Sequence, residues 1–167
     1  MKLRGALLIT AAVVAADQLT KLWIASTYPV GFEQQVIPGV FRLVHARNRG
    51  IAFGIFGASG PSVQLALLIV VALIVAFIAW QLTRAGGDGL AGSGLALVLG
   101  GAIGNIIDRV VRGDVVDFLD FYVVVGGHEH HWPAFNVADS AITVGACCVV
   151  VAEVFARLKE KRASGSH

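Results

Sequence analysis

Hydrophobic residues in this chain fall in long blocks rather than in the short alternations of a soluble fold. A helix needs about 20 mostly apolar residues to cross roughly 30 Å of hydrocarbon. Four blocks reach that scale, at residues 3–26, 63–82, 90–107 and 137–158. Asp17, Gln18 and Lys21 interrupt the second half of the first block, whereas the second holds no ionisable residue. The third is rich in glycine and gives way abruptly at Asp108-Arg109; the fourth holds Asp139 near its start and Glu153 near its end. Residues 28–62 are too long for a simple turn. Within them Val40, Arg42 and Val44 alternate with Phe41, Leu43 and His45, the period of a half-exposed strand, and Pro29, Gly31, Pro38 and Gly39 punctuate the segment. Residues 115–121 read as either another strand or a short interfacial helix. The pattern predicts an all-α membrane protein, with four transmembrane helices and a small extracytoplasmic β-sheet between helices one and two. Residues 1–167 then form a single integral membrane domain.

Composition narrows the class further. Hydrophobic residues make up 56% of the 167 and charged ones 14%, against about 25% charged in an average soluble domain. A disordered chain is excluded, and a net charge of +2 is too small to point to nucleic acid. The placement of the charges sets an orientation. Lys2, Arg4, Arg84, Arg157, Lys159, Lys161 and Arg162 agree with four spans and both termini in the cytoplasm. The first and third connections then face outward although they carry Arg42, Arg47, Arg49, Arg109 and Arg112. Trp23, Tyr28, Tyr122 and Trp132 are expected at the outer interface, where amphipathic rings prefer to sit. The N-terminus also resembles a cleavable secretory signal, with Ala15-Ala16 as small residues at its end. The polar cluster that follows favours a retained span.

Ionisable groups are expensive in hydrocarbon and usually line a shared interior or a watery cleft. Here they gather at one depth: Asp17, Gln18 and Lys21 on span one, Asn105, Asp108 and Arg109 on span three, Asn136, Asp139 and Ser140 on span four. Asn105 and Asp108 share a helix face, as do Asn136 and Asp139. No Ser-His-acid arrangement and no HExxH occurs, and Cys147 and Cys148 read as apolar filler inside span four. His128, His130 and His131 with Glu129 lack partners at zinc-site spacing, so neither a metal nor a cofactor is expected. What remains is a pair of aspartates sharing a proton, one member acting as base on water and the other as acid towards a carbonyl. Asp139 is one candidate; Asp108, Asp114, Asp117 and Asp120 compete for the other place. A small transporter using Asp17 and Lys21 as an ion path is the rival class. Against it, the charges crowd one side and span two has no polar residue at midplane.

Five motifs then occur in order: Asp17-Gln18-Leu19-Thr20-Lys21, Asn48-Arg49-Gly50-Ile51-Ala52-Phe53, residues 100–109 (GGAIGNIIDR), Val115-Val116-Asp117-Phe118 and residues 133–140 (PAFNVADS). Together they resemble the bacterial lipoprotein signal peptidases, or signal peptidase II family, over about Asp17 to Ser140. The resemblance implies an aspartic endopeptidase of the inner membrane. Such an enzyme removes signal peptides from diacylglyceryl-modified prolipoproteins, cutting before the lipid-bearing cysteine, and needs no cofactor. It implies Asp117 and Asp139 as the catalytic pair and Asn105, Asp108, Arg109 and Asn136 as residues that shape the site. Asp17, Lys21, Asn48 and Gly50 fall at its remaining motif positions, with substrate-binding or structural roles. Gly100 and Gly104 are expected to let span three pack closely on a neighbour. Arg49 is expected to meet lipid headgroups or substrate backbone, and Phe53 and Phe56 to clamp the substrate or anchor in lipid. A monomer in contact with membrane phospholipid is expected.

Overall fold

The computed structural model describes residues 3–50, 61–84 and 89–164. Its elements run α1 (Leu3–Thr27), β1 (Glu33–Ile37), β2 (Phe41–Asn48), α2 (Pro61–Arg84), α3 (Gly89–Val111), β3 (Val115–Val125), β4 (His128–His131) and α4 (Val137–Ser164). Phe53 and Phe56 lie outside the described residues.

By the standard of a soluble bundle the helices are inside out. Along one face α1 buries Ala6, Thr10, Asp17, Lys21 and Ile24, while Leu8 and Leu19 are 71% and 67% exposed. Water would drive the opposite arrangement. In hydrocarbon an outward leucine is already solvated, and the ionised groups are the ones that must turn inward. Among the described residues, α1, α3 and most of α4 (Val137–Arg162) are long and apolar enough to cross a membrane, and α2 contributes a shorter apolar stretch, Leu68–Leu82.

α3 is the hub, packed against α1, α2 and α4, and its glycines decide how close those neighbours come. A Cβ on Gly94 would lie 2.6 Å from the carbonyl oxygen of Gly145 on α4, and one on Gly101 would collide with the carbonyl oxygen of Ala138. On another face, a Cβ on Gly100 would meet Val13 at 2.8 Å and one on Gly104 would meet the Asp17 carboxylate at 2.5 Å. Gly100 and Gly104 thus pack on α1, as their spacing anticipated, and Gly94 and Gly101 form a second such face toward α4. Ala6, Ile78, Leu82, Ala96 and Leu99 join α1, α2 and α3 in an apolar core, while Ile24 of α1 packs with Val116 and Phe118 of β3.

The sheet departs from the expectation that it lies between the first two helices. It has four antiparallel strands in the order β1-β2-β3-β4, so half of it comes from the connection between α3 and α4. Residues 115–121, open between strand and helix in the sequence, belong to the eleven-residue β3. Arg42 lies opposite Asp120, and Ala46 opposite Asp117. The four helices extend beyond their expected ends by up to six residues, and α2 begins at Pro61, inside the segment read as β-type. α3 does not stop at Asp108-Arg109 but continues to Val111, because both side chains are held within the protein rather than marking its edge. Gly113, at φ +81°, then turns the chain into β3.

Two smaller expectations also change. Tyr122 is 3% exposed rather than an interfacial ring: its hydroxyl accepts the Gly39 N–H at 2.9 Å, and the Arg42 guanidinium stacks 4.2 Å from its centroid. Cys147 is exposed on α4 rather than buried; Cys148 is partly buried, near Gly94.

Candidate active site

The polar faces of α1, α3 and α4 meet at the end of the bundle that carries the sheet. Lys21 is the centre of the meeting. Its ammonium lies 2.8 Å from Asp17 Oδ2, 3.0 Å from Asp108 Oδ2 and 2.9 Å from Asn105 Oδ1, and all three charged side chains are fully buried. Burial of one cation with two anions is tolerated only when the remaining oxygens are also satisfied, and they are. Asp17 Oδ1 accepts the backbone N–H of Ala138 at 3.0 Å, so a carboxylate of α1 caps the first turn of α4. Asp108 accepts the Val116 N–H at 3.2 Å and pairs with Arg112, one turn on. The Gln18 amide donates to Asp17, Asp108 and the Gly104 carbonyl, each at 3.1 Å.

Above this network the two aspartates sit on different elements. Asp139 is in the first turn of α4, where its backbone N–H donates to Asn136 Oδ1 at 3.0 Å and its Oδ2 accepts the Asn136 N–H at 3.3 Å. That is a reciprocal capping box built from Asn and Asp. Asp139 Oδ1 also accepts from Asn105 Nδ2 at 2.8 Å. Asp117 lies on β3, with Oδ1 accepting from Asn136 Nδ2 at 2.7 Å and Oδ2 from Asn48 Nδ2 at 3.1 Å. Burial, and then the neighbouring charge of Asp139, push the Asp117 carboxyl up to about 7; the Asn48 and Asn136 hydrogen bonds and the Lys21 charge oppose the rise.

Both carboxylates open onto one cleft of about 700 Å³. Asn48, Arg49, Gly50, Asn105 and Arg109 form its polar rim, and Leu65, Leu68 and Val71 of α2 contribute to its apolar wall. Arg109 reaches from α3 to hold the Gly50 carbonyl at 2.5 Å and the Asn105 carbonyl at 3.1 Å. Asn48 Oδ1 accepts the Gly50 N–H at 2.9 Å, closing a tight turn at the end of β2. Arg49 is exposed on the cleft.

All ten residues picked out in the sequence — Asp17, Lys21, Asn48, Gly50, Asn105, Asp108, Arg109, Asp117, Asn136 and Asp139 — therefore belong to one connected network. The competing aspartates are engaged elsewhere: Asp114 with Arg47 at 2.6 Å, Asp120 with His131 at 2.9 Å, and Asp108 with Lys21 and Arg112. Asp117, by contrast, shares the cleft with Asp139. Gln18 and Arg112 were not among the expected site residues. Their signal was in the sequence, Gln18 beside Asp17 and Arg112 four residues after Asp108. The histidine run is tied into the sheet through His131, whose ring is pushed toward the charged form chiefly by its bond to Asp120. Glu129, held well below the usual carboxylate range by Arg42, belongs to the same cluster.

Comparison with known proteins places this arrangement in a family. The sequence profile described as signal peptidase (SPase) II matches residues 9–155. The chain is 47% identical to the lipoprotein signal peptidase of Oleidesulfovibrio alaskensis, over 87% of its own length and 91% of the relative's. It is 46% identical to that of Cupriavidus necator, over 85% and 78%. A solved structure described as a bacterial membrane enzyme superposes with a TM-score of 0.76 at 34% identity, covering 90% of this chain and 87% of the other. A polar network buried among apolar helices and a profile matched across most of the sequence lead to one conclusion: the chain belongs to the signal peptidase II family of membrane peptidases.

Proposed function

We propose that this chain is an aspartic endopeptidase that removes signal peptides from diacylglyceryl-modified prolipoproteins, with Asp117 and Asp139 as its catalytic pair. The observation that carries the reading is that these two aspartates, from different elements, share one cleft while every other candidate aspartate is engaged by a basic side chain outside it. A raised Asp117 leaves the pair with one proton near neutral pH. The ionised member takes a proton from water as its oxygen adds to the scissile carbonyl, and the protonated member gives its proton to the carbonyl oxygen. Collapse of the resulting gem-diol breaks the C–N bond: the proton gained from water passes to the leaving nitrogen, and a diol hydroxyl returns its proton to the other carboxylate. Water is consumed and the pair ends as it began, so no cofactor is needed.

The remaining assignments follow from the same picture. Four spans, α1 to α4, cross the inner membrane with both termini in the cytoplasm, supported by Lys2, Arg4, Arg84 and the basic end of α4. The sheet and the cleft then lie at the outer leaflet, at the depth where a lipid-anchored cysteine holds its scissile bond. Asn48, Gly50, Arg109 and exposed Arg49 border the substrate and the phospholipid headgroups. The whole chain acts as one domain and as a monomer.

The test is incubation of the purified protein in detergent or bilayers with a lipidated prolipoprotein, reading the new N-terminus by mass spectrometry. A cut immediately before the lipidated cysteine is expected, with none in the unlipidated control. Absence of cleavage, or cleavage that survives Asp117→Asn and Asp139→Asn, overturns the reading.

A further inference from the structure

We propose that Lys21 is a positioning residue for the aspartate pair, locking the Asn105 side-chain amide in the orientation that donates to Asp139. The inference rests on the peptidase reading and deepens it. It removes Lys21 from the groups that touch substrate.

The argument begins with donor chemistry. An ammonium has three N–H donors and no acceptor, and Lys21 has engaged all three, on Asp17, Asp108 and Asn105. Its side chain is fully buried and does not line the cleft. No donor remains for a substrate. An asparagine amide, by contrast, has two nearly isosteric branches, one accepting and one donating. Only the accepting branch can face an ammonium, so Lys21 at 2.9 Å fixes Oδ1 of Asn105 on its own side. Asn136 Nδ2 reaches the same oxygen at 3.4 Å and agrees in direction. The NH2 branch must then point away, and it donates to Asp139 Oδ1 at 2.8 Å.

Turned the other way, Asn105 would present a carbonyl oxygen to a carboxylate. The α3 backbone does not choose between the two rotations; the buried cation does. Asp17 and Asp108 serve as counter-ions that keep that cation in place, so three ionised residues behind the cleft act on the reacting groups through one neutral amide. The Lys21–Asn105–Asp139 chain crosses from α1 through α3 to α4, and thereby sets where the pair presents its oxygens to water.

The test is turnover of the lipidated prolipoprotein by the full chain, separated into kcat and KM. Asn105→Ala leaves the Lys21 ion pairs intact and removes the donor to Asp139, together with the oxygen that accepts from Lys21 and Asn136. It should lower kcat about 10- to 100-fold at nearly unchanged KM, with a fall in melting temperature from the Lys21 donor left without its acceptor. Lys21→Met should lower kcat by at least as much, and Lys21→Met/Asn105→Ala should be no worse in kcat than Lys21→Met. Because Lys21→Met strands two buried carboxylates, Lys21→Met/Asp17→Asn/Asp108→Asn is the companion variant. Neutralising the trio should restore thermal stability without restoring kcat.

Recovery of kcat together with the fold in that variant would show that Lys21 acts only on the fold. Loss confined to KM would show that it meets substrate. Parental kcat in Asn105→Ala overturns the lock even if no Lys21 variant folds. The parent and Asp139→Asn, run alongside, keep the two proposals apart: an inactive parent or an active Asp139→Asn defeats the peptidase reading, and an unaffected Asn105→Ala defeats the lock alone.

Discussion

Asn136 and Asp139 hold each other twice: the Asp139 N–H donates to Asn136 Oδ1 at 3.0 Å and the Asn136 N–H donates to Asp139 Oδ2 at 3.3 Å. The Asn136 side chain has a second role, donating to Asp117 Oδ1 at 2.7 Å. One asparagine thus begins α4, fixes one aspartate by capping and the other by its amide. Asn136→Asp keeps the acceptor for the cap and loses the donor to Asp117, adding a third carboxyl beside the pair. It should abolish cleavage with a modest fall in melting temperature. Asn136→Ala should lose activity and also about 1 kcal/mol of capping energy, read as a larger melting shift.

The aspartates themselves can be sorted by amide substitution, which keeps shape and removes proton transfer. Asp117→Asn and Asp139→Asn should each abolish single-turnover cleavage in folded protein, and their double variant should be no worse than either. Asp108→Asn should leave partial activity and melt earlier, near the low end of the about 3–5 kcal/mol for breaking a buried pair, since Lys21 keeps Asp17. Asp17→Asn should follow Asp108→Asn. A folded, inactive Asp108→Asn beside an active Asp117→Asn would move the pair.

Asp117 makes the pH dependence specific. Its carboxyl is pushed up to about 7, first by burial and then by Asp139. A shared proton is therefore lost as pH rises through that value, and kcat/KM should fall on the alkaline side of about 7. The Asn48 hydrogen bond opposes the rise, so Asn48→Ala should carry the alkaline limb to higher pH. Stability follows from the same shift. A carboxyl raised on folding favours the folded state at low pH and loses that contribution between its unfolded value near 4 and about 7. Asp117→Asn should then stabilise the protein relative to the parent at pH 8 more than at pH 4, measured by melting temperature.

Close helix contact separates packing from chemistry. At Gly94 an added Cβ meets the Gly145 carbonyl oxygen, and at Gly104 it meets the Asp17 carboxylate that caps α4. Gly94→Ala should cost about 1–3 kcal/mol with kcat preserved in the folded fraction. Gly104→Ala should cost stability and kcat together, because displacement of Asp17 disturbs Lys21. Equal effects on kcat would break this distinction.

Topology is checked by reporter fusions. Those after Arg84 and after Lys161 should report cytoplasm, and one at Gly127, in the turn between β3 and β4, should report the outside. An external reading after Lys161 overturns the four-span arrangement.

The sequence by itself determined that the chain enters a membrane and where its polar face lies. Blocks of about 20 apolar residues have no other stable environment, and Asp17, Lys21, Asn105 and Asp139 inside them, with Asp108 at the end of the third, had to turn toward one another. The motif order carried the family and ten candidate site positions, which a single network joins. Tertiary structure decided the pairings. Alternation along β2 declared a strand but could not name its partner, since strand pairing joins distant segments; β3, from the far side of α2 and α3, completes the sheet and brings in Asp117. Likewise Arg109 is adjacent to Asp108 in sequence, yet Asp108 pairs with Arg112 and Lys21 while Arg109 holds Gly50. On a helix, neighbours in sequence point about 100° apart and residues one turn apart share a face. The choice among four partner aspartates for Asp139 was open to spacing alone, because a carboxylate looks the same whether it balances a buried lysine or faces a cleft. Only the placement of the cations around it distinguishes the two.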